Sequence, residues 1–470
     1  MSSRRLPLLV ALCVLVLGTL AVLAVAALPG QRRPPSRSVV PAQFPGYSAL
    51  TAQVATNPVG AALAVYRQDA AGGVTGTTQT LVLGADGTSA RRLTQAADRG
   101  SSQVPAAAVV SPDGRTVALG DGPSGTDPAR ASTTESAATT LPPGRVVVAP
   151  SSSAADAGAA LVRPVGASST LALVDLASGD TRVHVVPRVP VVVPVSWSPD
   201  GARLAYLGTE APASASEAGA APTGGTSGQL FVLDTRSDRA VAVPGAERVV
   251  AAAFSPDGSR LAYQEPGATV VHVVDPFTAG SQDGAVPGTE LAAPAGAVLA
   301  DGPAWSPDGT LLAFEAGGGT PSARIEFVAA QAGRGVPGAV PGRDVLGWTG
   351  AGELVHQSVP SGADGVDGGD LTVVRTDLRT GATSPYLRVP TARGHHPAGD
   401  LTLAGALLTR AVTTTSTSVD RGPWPLPVRL GLVLAAAVLA APATAGLLRR
   451  REQLAALTAV PDWARDTTRG

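Results

Sequence analysis

Four copies of one tetrapeptide constrain this chain more than anything else in it. Ser111-Pro112-Asp113-Gly114, Ser198-Pro199-Asp200-Gly201, Ser255-Pro256-Asp257-Gly258 and Ser306-Pro307-Asp308-Gly309 each follow an apolar or aromatic residue: Val110, Trp197, Phe254 and Trp305. Two residues after each copy comes a short apolar run: Val117-Ala118-Leu119, Leu204-Ala205-Tyr206, Leu261-Ala262-Tyr263 and Leu312-Ala313-Phe314. Proline presets φ at the second position of a turn, aspartate suits the third, and glycine accepts the left-handed conformation that rejoins a strand. Each copy therefore predicts a β-hairpin, with the residues after the turn alternating at period two.

Two degenerate copies extend the series. Asn57-Pro58-Val59-Gly60 before Leu63-Ala64-Val65 lacks the aspartate, and Trp348-Thr349-Gly350-Ala351-Gly352 before Leu354-Val355 keeps the tryptophan and final glycine. Anchored at Pro58, Pro112, Pro199, Pro256, Pro307 and Gly350, the intervals are 54, 87, 57, 51 and 43 residues. The irregularity comes from insertions rich in Ala, Ser, Thr, Gly and Pro, chiefly 121–160 and 209–228, which read as surface loops. A second hairpin accompanies each unit, as in Leu171–Asp175 turning into Thr181–Val186, Leu230–Asp234 into Ala240–Val243, and Leu371–Asp377 turning at Thr380-Gly381. Two hairpins every ~40–50 residues make a four-stranded propeller blade. The expected fold is an all-β propeller of about six blades. Residues 401–408 either close the ring or remain from a seventh blade.

The repeats resemble the WD40-like (PD40) β-propeller repeats of the TolB family and of the propeller domains of prolyl-oligopeptidase-like peptidases. The resemblance spans about residues 57–408 and is specific for the fold rather than for a function. It implies that Trp197, Phe254, Trp305 and Trp348 pack between blades, a role their place before the turn also suggests. The four repeated aspartates have two readings: a carboxylate ring for a cation or basic partner, or turn residues that each bond their own backbone. Their recurrence in every good copy favours the second.

Catalytic constellations are hard to find. Peptidases with such propellers carry an α/β-hydrolase domain with a serine in a Gly-x-Ser-x-Gly elbow, and that pattern does not occur here. His184, His272 and His356 lie on strand-like stretches at unrelated repeat positions, and the pair His395-His396 has no third ligand beside it. Calcium-dependent lactonase-type propellers use asparagines, and Asn57 is the only one. Neither a cofactor nor a metal is implied, and no catalytic residue is assigned.

Two apolar stretches flank the repeats. Residues 6–28 carry no charge and are long enough as a helix to cross a bilayer, as are residues 430–448. Arg449, Arg450 and Arg451 behind the second stretch outweigh Arg421 and Arg429 before it, which predicts a cytoplasmic C-terminus. Two spans then put the N-terminus on the same side and the repeats outside. The alternative for the first stretch is a cleaved signal peptide, with Ala24-Val25-Ala26 as its small-x-small site, leaving one span; its apolar core is longer than such peptides use. The lone Cys13 falls inside this stretch and excludes an internal disulfide.

The resulting organisation is a cytoplasmic N-terminus (1–5), a membrane helix (6–28), a linker (29–50), an extracytoplasmic propeller (51–410), a linker (411–429), a second membrane helix (430–448) and a cytoplasmic tail (449–470). Between residues 38 and 420 the chain has 23 arginines and 33 carboxylates, a balance of −10 that argues against nucleic acid as a partner. The expected function is non-enzymatic: a membrane-held binding platform of the cell envelope whose partner is an envelope protein or a small ligand. A channel-sited hydrolase or lyase acting on a sugar or lactone is the alternative. A ligand sensor coupled to the tail is another.

Overall fold

The computed structural model describes residues 37–46, 48–68, 79–99, 107–121, 168–209, 227–276, 288–318, 320–331, 333–359, 370–390, 401–415 and 419–424, with pieces of helix at 428–431, 434–435, 449–451 and 453–454. Residues 32–422 form one compact unit; residues 1–31 and 423–470 form another. Among the described residues no helix is long and apolar enough to cross a membrane. The first apolar stretch, 6–28, lies outside those residues, and so does all of 430–448 except 430–431 and 434–435.

The chain opens with β1 (Val39–Pro41) and then builds six four-stranded antiparallel sheets. Blade 1 takes β2 (Ala62–Gln68), β3 (Gln79–Gly84) and β4 (Ala90–Arg92). Blade 2 is β5 (Ala108–Val110), β6 (Thr116–Leu119), β7 (Ser169–Asp175) and β8 (Thr181–Val186). Blade 3 is β9 (Val191–Trp197), β10 (Arg203–Thr209), β11 (Gln229–Asp234) and β12 (Arg239–Ala242). Blade 4 is β13 (Ala251–Phe254), β14 (Leu261–Gln264), β15 (Val270–Val274) and β16 (Gly288–Ala292). Blade 5 is β17 (Ala297–Leu299), β18 (Leu311–Ala316), β19 (Arg324–Ala329) and β20 (Val340–Pro341). Blade 6 is β21 (Arg343–Gly350), β22 (Glu353–Gln357), β23 (Leu371–Asp377) and β24 (Thr383–Val389). The innermost strand of blade 1 comes from the far end of the chain: β25 (Thr402–Leu403) pairs with β2 through Ala64↔Leu403 and Val65↔Thr402. The ring therefore closes at six, and residues 401–408 are its closing strand followed by a short helix, Gly405–Leu408, with no seventh blade.

Burial along the strands departs from the expected alternation. On β10, Leu204, Ala205, Tyr206 and Leu207 are all buried. The reason is that both faces of each sheet are covered by a neighbour. Leu204 and Tyr206 pack with Leu171, Leu173 and Trp197 toward blade 2, whereas Ala205 and Leu207 pack with Phe254 and Tyr263 toward blade 4. Period two survives as a choice of neighbour rather than of core against water.

The two segments read as linkers contain ordered strands at their inner ends. β1 pairs in parallel with β26 (Val412–Thr414), and the Ser38 hydroxyl donates to the Leu407 carbonyl at 2.7 Å. The folded unit thus reaches beyond 51–410 on both sides.

Candidate functional site

The propeller has two rims of different construction. One gathers the turns between the first and second strands and between the third and fourth. In the four good repeats the serine hydroxyl donates to the aspartate Oδ1: Ser111 to Asp113 at 2.7 Å, Ser198 to Asp200 at 2.6 Å, Ser255 to Asp257 at 2.5 Å and Ser306 to Asp308 at 2.6 Å. The same Oδ1 accepts the amide two residues on, from Arg115, Ala202, Ser259 and Thr310. The serine oxygen accepts the amide five residues on, from Thr116, Arg203, Arg260 and Leu311. Gly114, Gly201, Gly258 and Gly309 all have φ near +70°, the left-handed region that closes the turn. Pro199 and Pro256 lie against the glycine of the following turn, Gly258 and Gly309.

A second repeated device on this rim went unassigned from sequence. Asp175, Asp234 and Asp377 end the third strand of their blades and Asp86 lies two residues past the end of its own, and each Oδ1 accepts the amides two and three residues on. The amides of Ser237 and Arg236, and of Thr380 and Arg379, bond ionised Asp234 and Asp377 and hold both below the usual range. The Ser198 hydroxyl, above all, holds Asp200 below the usual range; the Ser255 and Ser259 hydroxyls bring Asp257 down to about 2. Partial burial pushes Asp308 upward, yet the bonds from Ser306 and Thr310 outweigh it and leave its pKa lowered. The carboxylates of this rim are engaged by their own turns.

The aromatic residues before the turns reach into the preceding blade. Trp197 Nε1 donates to the Val109 carbonyl at 3.1 Å, Trp305 Nε1 to Ala253 at 3.1 Å and Trp348 Nε1 to Pro303 at 2.8 Å. Phe254 is buried in the cluster between blades 3 and 4, and its amide donates to the Ser196 hydroxyl at 3.3 Å.

The other rim carries the connections from second to third strand and from the fourth strand to the next blade. Segments 69–78, 122–167, 210–226 and 360–369 join second to third strands; 100–106 and 391–400 lead into the next blade. Bridges between Asp121 and Val192 and between Gly228 and Val249 tie the roots of two of these connections to the inner strand of the following blade. Both long insertions expected from composition therefore spring from this rim, although their interiors lie outside the described residues.

Where blades 5 and 6 meet, beside the first two strands of blade 5 and on the first strand of blade 6, stands a group of carboxylates that sequence reasoning missed. Asp301 follows β17 and keeps an exposed surface although protein crowds it. Desolvation, then the charges of Glu315 and Asp344, push its pKa up to about 8. Glu315 on β18 is pushed up to about 7 by burial and by Asp344, against the opposing effect of the Val345 amide that donates to its Oε1 at 2.9 Å. Asp344 has φ +48° and lies 3.8 Å from the Arg343 guanidinium. The Gln357 amide, oriented with its nitrogen toward Asp344, accepts from Arg343 at 2.6 Å. Such acids, protonated or ionised near neutrality, can donate a hydrogen bond or pair with a cation. The only signal for them was an aspartate interrupting the apolar run 297–305.

The histidines have structural surroundings. His184 Nδ1 contacts Asp238 Oδ1 at 2.9 Å across blades 2 and 3, and His272 stacks on Tyr263 with ring centroids 5.1 Å apart. His356 is fully buried, with Nε2 2.9 Å from the Thr376 hydroxyl, and burial lowers its pKa. His395 and His396 lie outside the described residues. Among the described residues no three His, Cys, Asp or Glu side chains are grouped to hold a metal ion.

No known family model matches the chain, and no curated protein sequence does. Among solved structures, the chain is similar to TolB from Acinetobacter baumannii at 10% identity, over 75% of this chain and 68% of that one, with a TM-score of 0.40. It is similar to a TolB-type protein of Agrobacterium tumefaciens at 15% identity, over 63% and 87% of the two chains, with a TM-score of 0.36. An oligogalacturonate lyase in complex with manganese gives 14% identity, 75% and 86% coverage, and a TM-score of 0.40. Six closed blades and four Ser-Pro-Asp-Gly turns make the chain a β-propeller repeat protein, the fold expected from its resemblance to TolB-type repeats.

Proposed function

We propose that the chain is a non-enzymatic, membrane-anchored propeller that binds a protein or a small ligand outside the cytoplasmic membrane, in the cell envelope. One observation carries this reading: the four Ser-Pro-Asp-Gly turns are occupied with their own hydrogen bonds, whereas the two longest connections, which contain 122–167 and 210–226, spring from the opposite rim. Propellers keep their blades constant and vary such connections, so recognition concentrates there. The anchoring half of the proposal rests on the uncharged stretches 6–28 and 430–448 and on the arginines behind the second, with both termini in the cytoplasm.

The test uses the full chain in its native membrane. Shortening 122–167 or 210–226 to a Gly-Ser linker is expected to abolish crosslinking to the partner and leave the folded propeller intact. Partner capture that survives both changes contradicts the reading. Protease added to spheroplasts is expected to digest the propeller and spare the tail; protection of the propeller overturns the orientation. The second reading, a hydrolase or lyase, is favoured by the elevated pKa values of Asp301 and Glu315, which suit a general acid. Turnover of a sugar or lactone panel, lost in Asp301→Asn, would establish it in place of the first.

A further inference from the structure

The ring has one junction that differs from the other five. At blade 1 the innermost strand, β25, contributes only two registered pairs, whereas β9 makes six with β10 in blade 3. The deficit is made up by a clasp drawn from both ends of the folded unit. β1 pairs with β26 over three residues, and the Ala42 amide donates to Thr414. From there the N-terminal segment crosses to blade 6, where Arg388 donates to Ala42 and Phe44 donates to Arg388. Val40 and Phe44 are buried in the core between blades 6 and 1, so the clasp is itself part of that core.

The C-terminal segment then fastens onto the outer edge of blade 1. The Asp420 amide donates to Thr88, Ala90 donates to Asp420 and Ala52 to Arg421. At the centre is Arg91, whose side chain is 0% exposed. Its guanidinium donates to the carbonyls of Asn57, Ala90 and Asp420 at 3.0, 2.7 and 2.6 Å and pairs with the Asp420 carboxylate at 3.3 Å. Arg421 reaches Gly46 and Thr51 at 3.0 and 3.1 Å. Gly422, at φ +70°, sits so close that a Cβ would meet Asn57 Nδ2 at 2.6 Å.

We propose that this clasp is the release point of the ring: opening it detaches residues 419–422 from blade 1 and β26 from β1, and parts blades 6 and 1 while blades 2 to 5 stay assembled. Blades 2 to 5 are each made of four consecutive strands and need no clasp. A pull on either end of the folded unit is borne by the clasp before it reaches any blade. Opening also bares the Ser89–Ala90 end of the outer edge of β4 as a template for another strand, while the Arg92 end keeps its bonds to Ala52 and Val54. The proposal is independent of membrane anchoring and of the partner.

Hydrogen exchange on the full-length protein in detergent tests it. In the wild-type chain the amides of Ala42, Phe44, Ala52, Ala90 and Val412 are expected to exchange as one group, at least tenfold faster than those of Ala262 and Tyr263 in blade 4. Asp420→Asn leaves the buried Arg91 charge without its carboxylate and should speed the clasp group a further tenfold or more without touching blade 4. Arg91→Met combined with Asp420→Asn removes both charges and should recover at least part of that loss. Clasp amides that exchange at the rate of blade 4, or an Asp420→Asn effect spread evenly over all six blades, would overturn the proposal. Should Asp420→Asn fail to fold, the wild-type comparison decides alone.

Discussion

The turn rim and the carboxylate group between blades 5 and 6 handle acids in opposite ways. On the turn rim, Asp200 and Asp257 are ionised at the surface and held by hydroxyls and amides of their own turns, so their pKa values fall. Between blades 5 and 6, desolvation and the charges of Glu315 and Asp344 raise Asp301, and burial and Asp344 raise Glu315. The lesson is that an aspartate repeated in every blade serves the blade. The acids that occur once, in blades 5 and 6, stand where ligand chemistry is still open.

The largest expected effect lies in the joints both rims depend on. Trp305→Ala removes an inter-blade side chain together with its bond to Ala253 and should cost about 3–5 kcal/mol in denaturant unfolding. A loss below ~1 kcal/mol would mean that blades are not held through these tryptophans. Next come the turn glycines, which separate conformation from packing. Gly201 has φ +66° with nothing within 4 Å of a added Cβ, so Gly201→Ala should cost about 1–2 kcal/mol. Gly114 has φ +73° and a Cβ there would lie 2.2 Å from the Ala62 carbonyl, so Gly114→Ala should cost roughly 3 kcal/mol or more. Equal losses at the two sites would break the packing half of the argument.

The pH dependence sharpens the contrast directly. For Asp200 and Asp257 the unfolded chain takes up protons first, so their contribution is present above pH ~4 and is lost as pH falls toward 2. For Glu315 the folded chain takes up the proton first, so stability declines as pH rises from ~4.5 through about 7. Urea midpoints measured from pH 5 to 8 should therefore drift downward in the wild type, drift less in Glu315→Gln, where Asp301 still titrates, and flatten when Asp301→Asn is added. A smaller effect is expected at Ser198→Ala, which removes the hydroxyl bonded to Asp200 and should cost about 1 kcal/mol. In that variant NMR titration should show the Asp200 pKa moving up toward the ordinary value.

Much of the fold was legible in the sequence because a tight turn places strict demands on four consecutive residues. Serine, proline, aspartate and glycine each answer a local requirement, and repetition supplied the blade count. The clasp was not legible for the converse reason. Val39–Pro41 and Val412–Thr414 carry no turn signature, and their parallel pairing joins segments more than 370 residues apart. Arg91 reads as an ordinary surface arginine beside Arg92, and only the tertiary fold buries it. Asp301 and Glu315 were missed because a single acid in an apolar strand looks the same whether it lines a channel or faces bulk water. The expected period two appears as alternation between two neighbouring blades, because a blade has protein on both sides.

The central claim is that recognition belongs to the connection rim and the turn rim is structural. A photoreactive side chain in the full-length protein in living cells tests it, placed in turn at Pro187 and Pro321 on the connection rim and at Pro199 and Arg379 on the turn rim, all four exposed. The account predicts partner adducts from Pro187 or Pro321 and none from the other two. Adducts confined to Pro199 or Arg379 would contradict it.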